Sequence, residues 1–253
     1  MTALSLGLGK TPMVKLFSVS SPEARARNLR IVHFIRHAEG YHNINKDYKN
    51  PLHTDAQLTP NGIAQCEKLS AKLHQDGISV DCIISSPMRR ALQTASFSFR
   101  HLIENETLSI PIVACEHWRE TVNYLCDVRL TKSSLIKIFE THDAKIDFSA
   151  IKHEHDPIWE KYEQCYGPHD TFTQHRESND DDHLIERARL AWAFIADRPS
   201  HEKSIAVVSH SAFFMHVFTR LGLVQYQDQQ VEELMTSSRF ENCEMRSVAF
   251  DII

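Results

Sequence analysis

Arg36 and His37 stand side by side where the hydrophobic run "RIVHFIRH" passes into the polar stretch "AEGYHN". A guanidinium beside an imidazole suits phosphoryl chemistry. The guanidinium is a planar fork of fixed charge that matches phosphate oxygens in pairs, and a neutral, oriented imidazole can attack phosphorus in line with a leaving oxygen. Orienting it requires a partner for the other ring nitrogen, which a backbone carbonyl can supply. The same residue types recur downstream: Arg89 and Arg90 in "SSPMRRALQTA", and His210 in "VVSHSAFF". Ser211 and Ala212 open a helical stretch after His210, and the free N–H groups of a helix start favour an anion.

Short β-branched runs lead to these residues. "RIVHFIRH", "VDCIISS", "SIPIVAC" (109–115), "KSIAVVSH" (203–210) and the closing "RSVAFDII" read as strands. Between them, "TPNGIAQCEKLSAKLHQ" has Thr59 as helix cap, Pro60 in the first turn and Ile63, Cys66, Leu69 and Leu73 at helical spacing. "MRRALQTASFSFRHLI", "HLIERARLAWAFIAD" and "SAFFMHVFTRLG" read as further helices, the last ended by Gly222. The alternation predicts an α/β fold with a doubly wound, mostly parallel sheet and helices on both faces. Ligands of such sheets bind beyond the carboxyl ends of the strands. That places Arg36 with His37, Ser85 with Ser86, and Ser209 with His210 on one rim.

The chain's 253 residues and 42% apolar content can bury one sizeable core. A net charge of -5 argues against nucleic acid as a partner, which needs a basic face. No apolar run approaches the roughly 20 residues that span a bilayer, so no membrane is expected. Six cysteines at 66, 82, 115, 126, 165 and 243 contain no Cys-x-x-Cys pair and follow no secretory leader, so a reducing, cytoplasmic setting is expected. Residues 1–29 carry four basic residues and one acidic one. They are read as an irregular N-terminal extension, with organelle import left open.

"FIRHAEGYHN" resembles the Arg-His signature of the histidine phosphatase superfamily, which includes cofactor-dependent phosphoglycerate mutases and histidine acid phosphatases. "LTPNGIAQ", "SSPMRRALQTA" and "VVSHSAFF" are similar to three further segments of that family, in the same order. The likeness covers residues 31–253 apart from much of 124–176. It implies that His37 is the nucleophile that becomes a phosphohistidine, and that Arg36, Arg89 and His210 bind the phosphoryl group, with Asn43 reaching it. It also implies Glu120 as the acid that protonates the leaving oxygen, with Glu116 as rival, and Arg129 as a further substrate contact. Ser211 joins the substrate-binding set as a helix-start donor.

The resemblance has departures. Position 40 is Gly where mutases have Ser or Thr, and "INKDYKNPLHTDAQ" lacks the mutase-like Phe-x-Gly-Trp segment. Hydrolysis is therefore expected ahead of mutase transfer, and a catalytically weak phospho-ligand binding or scaffold protein is the reading from another class. Arg90 reads as a salt-bridging surface arginine, His33 as structural, and the "KHEHD" histidines at 153 and 155 as a solvated loop. The expectation is a single domain over 30–253 with a specificity-setting lid insert at about 124–176. It would act on a small phosphorylated metabolite with neither metal nor cofactor.

Overall fold

The computed structural model describes residues 12–44, 46–103, 110–140, 145–168 and 176–253. Among them lie strands β1 (Val14–Phe17), β2 (Arg30–Arg36), β3 (Cys82–Ser85), β4 (Ile112–Ala114), β5 (Ile146–Asp147), β6 (Ser204–Ser209), β7 (Val224–Tyr226) and β8 (Met245–Ile252). They form an 8-stranded sheet in the order β5-β4-β3-β6-β2-β8-β1-β7. β2, β6, β3, β4 and β5 run parallel, and β8 is antiparallel to both β2 and β1. The α/β sheet wrapped by helices agrees with the sequence reading.

Side-chain alternation along the strands loads both faces. On one face Val32, Phe34 and Ile84 pack with Trp118, Trp192, Phe213 and Phe214. The Phe34 ring meets Trp192 edge-on at 5.6 Å and Phe218 at 4.9 Å. On the other, Ile35 and Ile83 pack on Leu69, Leu73, Ala91 and Leu92, from the helices Pro60–Gln75 and Arg89–Ser98. Each fully buried side chain of this size contributes about 1.5–3 kcal/mol of transfer free energy. That burial holds the central strands, and hence their carboxyl ends, in fixed register.

Two expectations change. Residues 14–17 are not irregular: β1 lies between β8 and β7, with Val14 and Leu16 fully buried. A four-residue strand shows too few alternations to stand out in sequence. In the segment 124–176, the helix Lys132–Phe139 buries Leu135 and Phe139, and β5 extends the sheet beside β4. This part is built into the sheet edge. Pro22–Ala26 form a short helix, and residues 1–11 lie outside the described residues.

Candidate active site

Register brings the strand ends together. Arg36 pairs with Ser209 and Ser85 with Val208, so β2, β6 and β3 end side by side. The His37 N–H donates to Ser209 O at 2.9 Å, and the Ser86 N–H donates to Val208 O at 2.9 Å. The rings of His37 and His210 are consequently 5.0 Å apart.

His37 Nδ1 donates to the Ala38 carbonyl at 2.7 Å, which leaves Nε2 with the lone pair. Burial holds the His37 imidazole well below its ordinary pKa, helped by the Arg90 and Arg36 charges. It is neutral, as a nucleophile must be. His210 shares a 2.7 Å hydrogen bond between Nε2 and Ser86 Oγ. Arg36 Nη1 donates to Phe240 O at 2.8 Å. Arg36 Nε, Arg90 Nε and His210 Nδ1 are buried without a hydrogen-bond partner among the described residues. One oxyanion with several acceptor lone pairs could satisfy them together.

The expectation for Arg89 is corrected. Its N–H donates to Asp55 Oδ1 at 2.7 Å and its Nε to Asp55 O at 2.6 Å, and it lines a separate groove with Tyr41 and His53. Arg90 is not a surface residue either. It is 1% exposed, lines the cavity at His37, donates from Nη1 to Cys126 O at 2.8 Å and pairs with Asp127 at 3.5 Å. Neighbours on a helix point about 100° apart, so only one of the two can face the rim. Arg90 shares its face with Thr94, whose hydroxyl accepts from the Ala38 N–H at 2.9 Å, beside His37.

That contact is one of several that brace the loop after His37. Gln65 Oε1 accepts from the Glu39 N–H at 2.9 Å, and Gln93 Oε1 accepts from the Leu58 N–H at 2.8 Å. Thr59 caps its helix by accepting from Gly62 N–H at 2.9 Å and donates to Glu39 Oε1 at 2.6 Å. The Thr-x-x-Gly and Gln-Thr segments thus position the loop and do not enter the cavity. A Cβ on residue 62 would overlap the Glu39 carbonyl oxygen. Gly62→Ala is expected to destabilise the protein by about 1–3 kcal/mol, read as a lower urea midpoint, because backbone must move.

Glu120 lies on the cavity wall. Its Oε1 accepts from the N–H groups of Thr121 at 2.8 Å and Phe213 at 2.9 Å, and Oε2 from Ala212 at 3.3 Å. Buried Arg187 donates to the Arg119 carbonyl at 2.8 Å, while Glu177 accepts from the Val122 N–H at 2.7 Å, which fixes the backbone on both sides of Glu120. Glu116 instead pairs with Arg119 at 3.3 Å and Arg129 at 2.6 Å. Arg129 is also corrected: it is buried and donates to the carbonyls of Leu130, His153, Glu154 and His155, so it stitches loops together away from the cavity. Asn43 and Ser211 line the cavity, with Asn43 Oδ1 accepting from the Gly40 N–H at 3.0 Å and Ser211 Oγ donating weakly to Phe240 O at 3.4 Å.

The cavity measures about 710 Å³, a size that accommodates a metabolite beyond its phosphoryl group. Among the described residues of the segment 124–176, it takes only Tyr124, Cys126 and Asp127. Sequence reasoning passed over Asp127, His42, Tyr48 and Arg239, which all line it. Burial pushes the Asp127 carboxyl up to about 6, opposed by the Arg90 charge. No group of three or more His, Cys, Asp or Glu side chains among the described residues is placed to hold a metal ion.

Burial lowers the pKa of His33 to about 4 and of His37 and His210 well below 6.5. Between those values and 6.5 these rings are neutral when folded and protonated when unfolded, so unfolding takes up protons. Stability present above pH 6.5 is therefore lost as pH falls, for His33 over the window from 6.5 to about 4. Melting temperature is expected to drop across that window, and His33→Gln to flatten the drop. A melting temperature that rose on acidification would contradict the burial of neutral rings.

The histidine phosphatase superfamily (branch 1) matches residues 32–250. Phosphoglycerate mutase-like protein 1 of Arabidopsis thaliana is 27% identical over 249 residues, covering 87% of this chain and 80% of its own. A Schizosaccharomyces pombe protein named as a probable phosphatase is 29% identical over 181 residues, covering 72% of this chain and 74% of its own. The ecdysone phosphate phosphatase of the silkworm, solved with tungstate, shares the fold with a TM-score of 0.56 at 15% identity, covering 88% of this chain and 92% of that one. With the family matched from β2 to β8, and its Arg-His pair at the rim where the parallel strands end, this chain belongs to the histidine phosphatase superfamily.

Proposed function

We propose that the chain is a phosphomonoesterase that hydrolyses a small phosphorylated metabolite through a phosphohistidine on His37. The observation that carries this reading is the Nδ1–H bond from His37 to Ala38 O at 2.7 Å, which leaves the lone pair on a neutral Nε2 in the cavity that Arg36 and Arg90 also line, with the His210 ring 5.0 Å away. In the first step Nε2 forms a bond to phosphorus, the P–O ester bond breaks, and Glu120 protonates the departing alkoxide. In the second, Glu120 takes a proton from water, the water oxygen bonds to phosphorus, and the P–N bond electrons return to Nε2. Arg36, Arg90 and His210 hold the equatorial oxygens throughout. Asn43 and Ser211 add polar groups at the mouth.

Mutase transfer is the second reading, favoured by the name of the Arabidopsis relative. Position 40 argues for hydrolysis, because the space where a mutase carries a Ser or Thr side chain is filled by His42: a Cβ at Gly40 would lie 2.8 Å from His42 Nδ1. The discriminating experiment measures inorganic phosphate released from phosphoglycerates, sugar phosphates and other small monoesters, with and without a bisphosphate primer and with EDTA. Phosphate release independent of primer and of chelator is expected. Isomerised product that requires the primer, with no phosphate released, would establish the mutase reading.

Glu120→Gln is expected to lower kcat on alkyl phosphates by about 10²–10⁴-fold. The loss should shrink on p-nitrophenyl phosphate, whose leaving group needs no proton in the first step. Asp127→Asn, which leaves Glu120 in place, should not show this dependence on the leaving group.

A further inference from the structure

His42 has no role in the scheme above, yet it lines the cavity beside His37. Its ring is 4% exposed and lines the cavity, 5.5 Å from the His37 ring and 6.1 Å from Tyr48. The Nδ1–Cε1 edge lies over residue 40, where a Cβ would come within 2.8 Å of Nδ1 and 2.9 Å of Cε1. A glycine at that position is what allows the ring to be there.

The two ring nitrogens are in different surroundings. Nδ1 is buried with no hydrogen-bond partner among the described residues, whereas Nε2 is not enclosed in this way and opens on the cavity. Burial and the charges of Arg90 and Arg36 hold His42 at about 2, so the ring is neutral and carries one proton. A buried N–H with no acceptor is rarer and costlier than an under-satisfied lone pair. The proton therefore belongs on Nε2, and the cavity receives an N–H donor. A neutral donor flanked by two guanidinium groups suits an oxyanion, and the cations exclude a metal ion as its guest.

We infer that His42 contacts the phosphoryl group, donating from Nε2 to one of its oxygens, and that Gly40 is glycine in order to seat it. The inference rests on the proposed phosphoryl site at His37 for the identity of the bound group, and it adds a binding residue to that site. His42 then senses the oxygens that gain charge as the phosphoryl group is transferred.

The test uses orthovanadate, which takes up the five-coordinate geometry of a phosphoryl group in transfer, and reads binding by calorimetry, so no turnover is needed. His42→Phe keeps a ring without the donor and is expected to weaken vanadate binding by about 10- to 100-fold, while His42→Gln, which restores an N–H, recovers most of it. His42→Phe binding within about twofold of the unsubstituted protein overturns the inference, since a charge-assisted hydrogen bond cannot vanish at that scale. Should His42→Phe fail to fold, ¹⁵N-histidine NMR of the unsubstituted protein decides: a proton on Nε2 supports the inference, and a proton on Nδ1 overturns it. Vanadate that binds a protein releasing no phosphate would remove the hydrolase reading and leave the role of His42 intact.

Discussion

His37→Ala is expected to reduce phosphate release by at least about 10⁴-fold on every substrate, with the fold unchanged. In the proposed mechanism this removes the nucleophile and with it the covalent route, and what remains is the catalysis assigned there to Arg36, Arg90 and His210. The ring's backbone neighbours do not depend on the side chain, since the His37 N–H donates to Ser209 O and the His37 carbonyl accepts from Asn242 Nδ2 at 3.1 Å and Cys243 N at 3.3 Å. A melting curve close to that of the parent is therefore expected. Activity retained within tenfold, about 1.4 kcal/mol of barrier, would mean that another group attacks phosphorus.

The second large effect separates two adjacent arginines. Arg90→Ala should lower kcat/KM by about 10²–10³-fold, because in the proposed mechanism it removes a buried guanidinium that holds the phosphoryl oxygens as they gain charge. Arg90→Lys keeps the charge but loses the fork, and should recover only part of the activity. Arg89→Ala should change kcat/KM by less than about threefold and destabilise by about 1 kcal/mol, through loss of the Nε donation to Asp55 O. Steady-state kinetics of the three variants, with melting curves to set aside the unpaired Asp127 left by Arg90→Ala, distinguish the two positions. The opposite pattern, a silent Arg90 and a crippled Arg89 variant, would return the phosphate clamp to Arg89.

The strand ends were legible because "RIVHFIRH", "CIISS" and "SIAVVSH" are runs whose burial on both faces follows from their composition, and a parallel sheet then carries their last residues to one rim. Arg89 against Arg90 was not legible from the adjacency alone. It turns on 100° of helix rotation, which only the bracing contacts of Gln93 and Thr94 resolve. Arg129 misled for a related reason: its carbonyl partners at 153–155 are 24 to 26 residues away along the chain, and their approach depends on how the loop closes. The choice between Glu120 and Glu116 was likewise left open by sequence, and the structure brings only Glu120 to the cavity wall while ion pairs occupy Glu116. His42 lay within the quoted "RHAEGYHN", but nothing in a polar run distinguishes a buried imidazole from a solvated one. The glycine two residues before it was visible as a departure, and its meaning appears only when the ring is seen to fill the missing side chain's space.

The central claim is that the phosphoryl group passes through His37. Rapid acid-free quenching of the enzyme during turnover of a ³²P-labelled monoester, followed by peptide mapping, tests this directly. The account predicts a label that is stable to alkali, lost in acid, carried by the peptide containing His37 and absent from His37→Ala. An acid-stable label, or one on any other residue, would contradict it.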